Sequence, residues 1–107
     1  MQEATYLILT ALAAGCQHGY GIIGDVAQIS GDRVRLRAGT LYTALDRLKQ
    51  DGLVAVDREE IAEGRLRRYY RLTPDGQTRL ATEATRLQAN ATAALRRLRP
   101  DPAGGLA

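Results

Sequence analysis

The sequence holds one cysteine and one histidine, and no apolar run in it approaches the length of a membrane span. Cys16 cannot close an internal disulfide, and with only His18 near it the chain offers no metal-ligand pair. A small, partly buried thiol is the expected state of Cys16. Nor do the two residues form a nucleophile, base and orienting acid, so no catalysis, cofactor or metal is expected. A membrane helix needs about 18–20 consecutive apolar residues, and the start MQEATYL lacks the basic residues of a secretory leader. A cytoplasmic protein is the expectation.

Bases are also missing from one end. Residues 1–32 carry Glu3, Asp25 and Asp32 and no Lys or Arg, whereas residues 33–71 carry ten bases against six acids. The net charge of +3 therefore understates a positive middle segment, which suits a polyanionic partner. Length and composition fit one soluble domain: 107 residues, 45% hydrophobic and 25% charged.

Residues 3–14 contain good helix formers, apolar on nearly every side. Such a helix is buried on more than one face and in a small domain should be covered from outside its own fold. Gly15 ends it. A second helix is expected over Gly19–Ile29, with Ile22, Ile23, Val26 and Ala27 on one face. Val34–Arg37 alternates apolar and basic residues, enough for a strand stub. From Gly39 to Gln50, Leu41, Ala44, Leu45 and Leu48 make one apolar stripe, leaving Thr40, Thr43, Arg47 and Gln50 opposite and Tyr42 and Asp46 on the flank. Leu53–Val56 and Arg67–Leu72 read as strands of a hairpin with its tip near Gly64. Thr73-Pro74 is a strong helix start, and the helix should run to about Arg99, before Pro100 and Pro102.

Three helices followed by a hairpin is the element order of a winged helix-turn-helix. The expected fold is mainly α with a small β-hairpin: a winged helix-turn-helix over residues 1–72, a long C-terminal dimerisation helix over 73–99 and a disordered tail over 100–107. A helix about 10–12 Å across fits a major groove about 12 Å wide. The helix from Gly39 has leucines to hold it on the core and short polar side chains to approach base edges. Arg65, Arg67, Arg68 and Arg71, interleaved with Tyr69 and Tyr70, give the wing four guanidinium groups. On their own such charges could simply guard a strand edge; joined to the three helices they favour duplex DNA.

Three stretches, HGYGI at His18–Ile22, AGTLYTALDRLKQDGLV at Ala38–Val54 and GRLRRYYRLTPDG at Gly64–Gly76, resemble the PadR-like transcriptional regulators. The resemblance implies a winged helix, double-stranded DNA with a near-palindromic operator as partner, a dimeric repressor and, for many members, a small-molecule effector. It places Thr40, Tyr42 and Thr43 on the recognition helix, Arg65 and Arg67 at the wing, and His18 and Tyr20 at the start of the second helix near the DNA backbone. With Arg37, Gly39 and Arg47 these form the candidate DNA-binding set. Ala38 and Thr43 stand where the family often has proline.

Leu80, Ala84, Leu87, Ala91, Ala94 and Leu98 follow alternating steps of four and three, a heptad-like seam expected to pair two copies. The competing class is a winged-helix protein-interaction module that does not bind specific DNA. Gly19-Tyr-Gly21-Ile-Ile-Gly24 matches a dinucleotide-binding pattern by letter, but a helix and a loop precede it where that chemistry needs a strand. Gly19 and Gly21 are expected instead to bring the backbone close to a phosphate.

Overall fold

Leucines at helical spacing decide how the first half of the chain packs. In the computed structural model, which describes residues 1–101 and 105–106, they lie on α1 (Glu3–Ala13) and α3 (Ala38–Gln50), with α2 (Gly19–Ile29) completing the three-helix unit. Leu7, Ile8, Leu9, Ala11 and Leu12 of α1 meet Ile22 and Val26 of α2 and Leu41, Leu45 and Leu48 of α3 in one core. Leu53, Val54, Tyr70 and Leu72 close that core from the sheet. α1 is thus covered by its own chain on most of its apolar surface. The sheet and α4 supply part of the cover that the sequence left unassigned.

The sheet has three strands in the order β1-β3-β2, where β1 is Gln17–His18, β2 is Val54–Ala62 and β3 is Arg65–Leu72. β1 is paired with Tyr69 and Tyr70 only, so the edge of β3 from Arg65 to Arg68 is bare on that side. The expected stub at Val34–Arg37 is not a strand. Its first N–H is taken by the buried Ser30 side chain, Val34 N donating to Ser30 Oγ at 3.0 Å, and β1 holds the sheet edge instead.

The hairpin turns at Glu63-Gly64, both with positive φ (52° and 73°), as a two-residue type I′ turn requires. A bulge interrupts the β2–β3 ladder: Val56 faces Tyr70 and Arg58 faces Tyr69, leaving Asp57 as the extra residue. Beyond it Glu59, not Arg58, lies opposite Arg68, and Ile61 lies opposite Leu66.

α3 ends in a Schellman arrangement, with Leu53 N–H on Leu48 O, Gly52 N–H on Lys49 O and Gly52 at φ 76°. The same turn seats α4 (Pro74–Leu98). Thr73 Oγ1 donates to Gly52 O at 2.6 Å and accepts from Gly76 N at 3.0 Å, so one hydroxyl joins the end of α3 to the cap of α4. Gly76 is buried where a Cβ would run into Leu53 O. The first turns of α4 pack back on the domain through Leu80. From Thr85 to Arg99 every residue is exposed.

The expected tail over residues 100–107 lies partly outside the described residues. Its described parts, β4 (Pro100–Asp101) and β5 (Gly105–Leu106), pair antiparallel.

Candidate nucleic-acid interface

α3 turns its leucines to the core and leaves Gly39, Thr40, Tyr42, Thr43, Asp46 and Arg47 exposed. Two clefts flank this exposed face. One, about 380 Å³, lies between the start of α2, α3 and the bare edge of β3, and gathers His18, Tyr20, Tyr42, Arg65 and Arg67 with Leu66 and Arg68. The other is an open groove of about 830 Å³ on the far side of α3, where Gly39, Thr40, Thr43 and Arg47 meet Met1, Gln2 and Thr5 at the start of α1 and Arg79 of α4. Nine of the ten candidate residues therefore fall into two groups on either flank of one helix. The tenth, Arg37, is exposed at the residue before α3 and lines neither cleft.

Ion pairing divides the arginines. Asp57 and Glu60 hold Arg58, at 3.0 and 2.6 Å; Glu59 holds Arg68 at 3.1 Å, and Asp57 lies 3.9 Å from Arg71. The hydrogen bond from Arg58 keeps the Glu60 carboxyl below its usual pKa, so the pair stays charged. Among the described residues, Arg37, Arg47, Arg65 and Arg67 make no ion pair, and neither do Lys49 and Arg79. The four wing guanidiniums are thus not equivalent: Arg65 and Arg67 make no ion pair, with Glu60 acting on Arg67 only from across the ladder, and Arg68 and Arg71 are paired. Arg79 escaped sequence reasoning because it lies one residue before Leu80 on a helix read only for its apolar seam.

The remaining candidates have local duties. His18 caps α2: Gly21 N–H donates to His18 Nδ1 at 3.3 Å, and the imidazole meets Tyr69 edge-on at 5.4 Å between centroids. Arg58 stacks on Tyr69 at 4.1 Å and donates to Cys16 Sγ at 3.2 Å. Cys16 is exposed, not partly buried as expected, because the turn into β1 sets it over the wing sheet. A Cβ on Gly19 would collide with the Tyr42 hydroxyl, so the missing side chain there makes room for α3. Thr43 Oγ1 donates to Gly39 O at 2.9 Å, which leaves its methyl and an acceptor lone pair to offer outward.

The order helix, helix, helix, hairpin, helix is now matched by a family model, that of the Transcriptional regulator PadR-like family, over residues 8–82. The chain belongs to this family. PadR-like proteins are transcriptional regulators, not enzymes. Transcriptional regulator Rv3488 of Mycobacterium tuberculosis (strain ATCC 25618 / H37Rv) is 39% identical over 61 residues, 57% of this chain and 56% of that protein. An uncharacterized 37.1 kDa protein in transposon TN4556 of Streptomyces fradiae is 44% identical over 82 residues, 77% of this chain and 22% of that protein. The match thus spans only part of either relative. A PadR family transcription regulator from Clostridium difficile R20291 superposes with a TM-score of 0.74 at 24% identity, covering 92% of this chain and 100% of that one. Bacillus subtilis PadR, solved in complex with operator DNA, superposes at 0.65 with 24% identity, over 94% of this chain and 51% of that one. At such identities the likeness is one of fold. Among the described residues no helix is long and apolar enough to cross a membrane.

Proposed function

We propose that the protein is a homodimeric, sequence-specific DNA-binding repressor, with α3 in the major groove and the wing on the adjacent backbone or minor groove. The observation that carries this reading is the distribution of unpaired cations. Arg47 on α3, Arg37 just before it and Arg65 and Arg67 on the wing make no ion pair among the described residues, although Glu60 lies across the ladder from Arg67, and they bracket the polar face of α3. Cations kept free of internal carboxylates are those that release counterions on meeting phosphate. Between them, Gly39, Thr40 and Thr43 keep the helix surface low enough for base edges to approach, and the Thr43 methyl suits a thymine methyl. Tyr20 and Tyr42 offer hydroxyls to the backbone on the wing side, and His18 holds the start of α2 in shape. Arg79 extends the positive rim on the other side of α3.

Pairing of two copies is supported by α4. Leu80 and Ala84 of the seam are partly covered by their own domain, but Leu87, Ala91, Ala94 and Leu98 are exposed. Leu95, 68% exposed and one step off the seam, widens the apolar stripe. Half of a 25-residue helix without tertiary cover is hard to hold in water by propensity alone. A recess of about 340 Å³ at Leu87, lined also by Met1, Glu3, Tyr6, Leu7 and Arg33, offers a seat for the second copy's helix. Two recognition helices about 34 Å apart would then read a near-palindromic operator. Repression in the cytoplasm and release by a small-molecule effector complete the proposal.

The test is selection of duplexes from a random pool, followed by binding titrations against unselected DNA. A near-palindromic consensus with a large affinity excess is the expected result. Equal affinity for every duplex would sink the reading and favour an acidic protein as the partner of the same surface.

A further inference from the structure

The wing tip carries an apolar feature that phosphate binding does not use. Ile61 and Leu66 face one another across the β2–β3 ladder and are 80% and 63% exposed. Single exposed apolar residues need no explanation, but a directly opposed Ile–Leu pair at the end of a hairpin is a contiguous apolar tip. The bulge at Asp57 brings it about. On β3, Leu66 shares its face with Arg68, Tyr70 and Leu72, the last two buried in the core. Without the extra residue the strand parity would set Glu60, not Ile61, on that face; with it the apolar pair continues the core face outward, past the end of α3. Leu66 also lines the cleft that holds Tyr20, Tyr42, Arg65 and Arg67; strand alternation sets these two arginines on the other face of β3, so they border the tip from the opposite side.

We propose that Ile61 and Leu66 form an apolar wedge that enters the minor groove of bound duplex DNA, flanked by Arg65 and Arg67. This rests on the DNA-binding reading above and specifies what the wing reads. The charge argues for the occupant. A narrow minor groove concentrates negative potential and attracts arginine, while its walls of deoxyribose and its base steps accept Ile or Leu. The only polar group that protrudes from that groove's floor is the guanine 2-amino group, so an apolar tip is repelled by G·C and tolerates A·T pairs. The protein would thus select A·T pairs under each wing without a hydrogen bond to any base.

The experiment uses the full chain and a 40-base-pair duplex selected by it from a random pool, with the wing position located by hydroxyl-radical footprinting. One probe carries G·C pairs under the wing and a second carries inosine·C there, which removes the amino group and leaves the major groove unchanged. The wild-type chain is expected to bind the inosine probe several-fold more tightly. The I61S/L66S chain should lose on the order of tenfold in affinity and all preference for inosine, while I61V/L66M keeps both. Both side chains are exposed, so the serine chain should keep its Tm and its mass in solution. Indifference of the wild-type chain to inosine, or unchanged binding by I61S/L66S, overturns the wedge while leaving DNA binding intact. A change of mass in I61S/L66S also overturns it, because the tip would then be a protein contact. If the wild-type chain selects no duplex at all, it is the DNA-binding reading that fails.

Discussion

Replacing Arg65 and Arg68 separately by alanine asks whether ion pairing, rather than mere presence on the wing, decides which arginines meet phosphate. The two residues are three apart on one strand. Arg68 is held by Glu59 at 3.1 Å, and Arg65 has no acidic partner among the described residues. Each phosphate neutralised contributes about 0.9 to the slope of log K against log salt. With Arg79 left aside, the four arginines without an ion pair on α3, just before it and on the wing (Arg37, Arg47, Arg65 and Arg67) make eight contacts in the proposed dimer, for a slope of roughly −7. R65A removes two and should bring the slope to about −5. Between 50 and 200 mM salt that change reduces the loss of affinity by roughly tenfold. R68A should leave the slope near its starting value, because the Glu59–Arg68 pair holds few counterions to release. Its affinity should fall modestly at every salt concentration as the Glu59 carboxylate is left facing DNA. Fluorescence anisotropy on a selected duplex at four or five salt concentrations measures both. Equal slopes for R65A and R68A would refute the division of the wing arginines drawn above.

Other expected outcomes concern separate parts of the molecule. Thr43→Ala should change the order of preference among selected duplexes more than the mean affinity, read by repeating the selection with the variant; an unchanged consensus would remove Thr43 from base reading. Thr73→Ala loses the cap of α4 and the bond to Gly52 O and should cost about 1–2 kcal/mol, seen as a lower Tm. Gly76→Ala should destabilise by about 1–3 kcal/mol, since its Cβ meets the Leu53 carbonyl. Leu87→Asp should convert a dimeric mass to a monomeric one in sedimentation while the helical signal of the first 72 residues persists; a dimer that survives would move the interface elsewhere. Arg86 holds the Glu83 carboxyl below its usual pKa, so the stabilisation from this pair is present above about pH 4.5 and lost as pH falls through the depressed value. E83Q should flatten the fall of Tm on the acid side accordingly.

Much of this architecture could be read from residue patterns because each pattern had one physical use. The leucine stripe of α3, the Glu63-Gly64 turn and the Thr73-Pro74 start appear in the structure where periodicity and capping place them. β1 was not legible, since a two-residue strand has no period and exists only through its pairing with Tyr69 and Tyr70. Val34–Arg37 had the right alternation and formed no strand; the Ser30 side chain takes the Val34 N–H and holds the segment against the end of α2. β2 runs longer than its apolar start suggested: Asp57, Glu59 and Glu60 are poor strand formers, held extended by cross-strand and local pairs with arginine. The candidate site residues were legible as a set, but their division was not. Which arginines are free depends on the register set by the Asp57 bulge, and that register leaves no mark in the local sequence.

The extra residue at Asp57 also governs how such a wing can change length. Lengthening or shortening β2 by two residues between the bulge and the turn would keep its inward and outward alternation, whichever β3 residues it then faced. A change of one residue, or loss of Asp57 itself, would exchange the two faces of β2 beyond that point while β3 keeps its own. Glu60 would then occupy the place of Ile61, and an oily fingertip would become an acidic one without any change in the three-helix body that carries it.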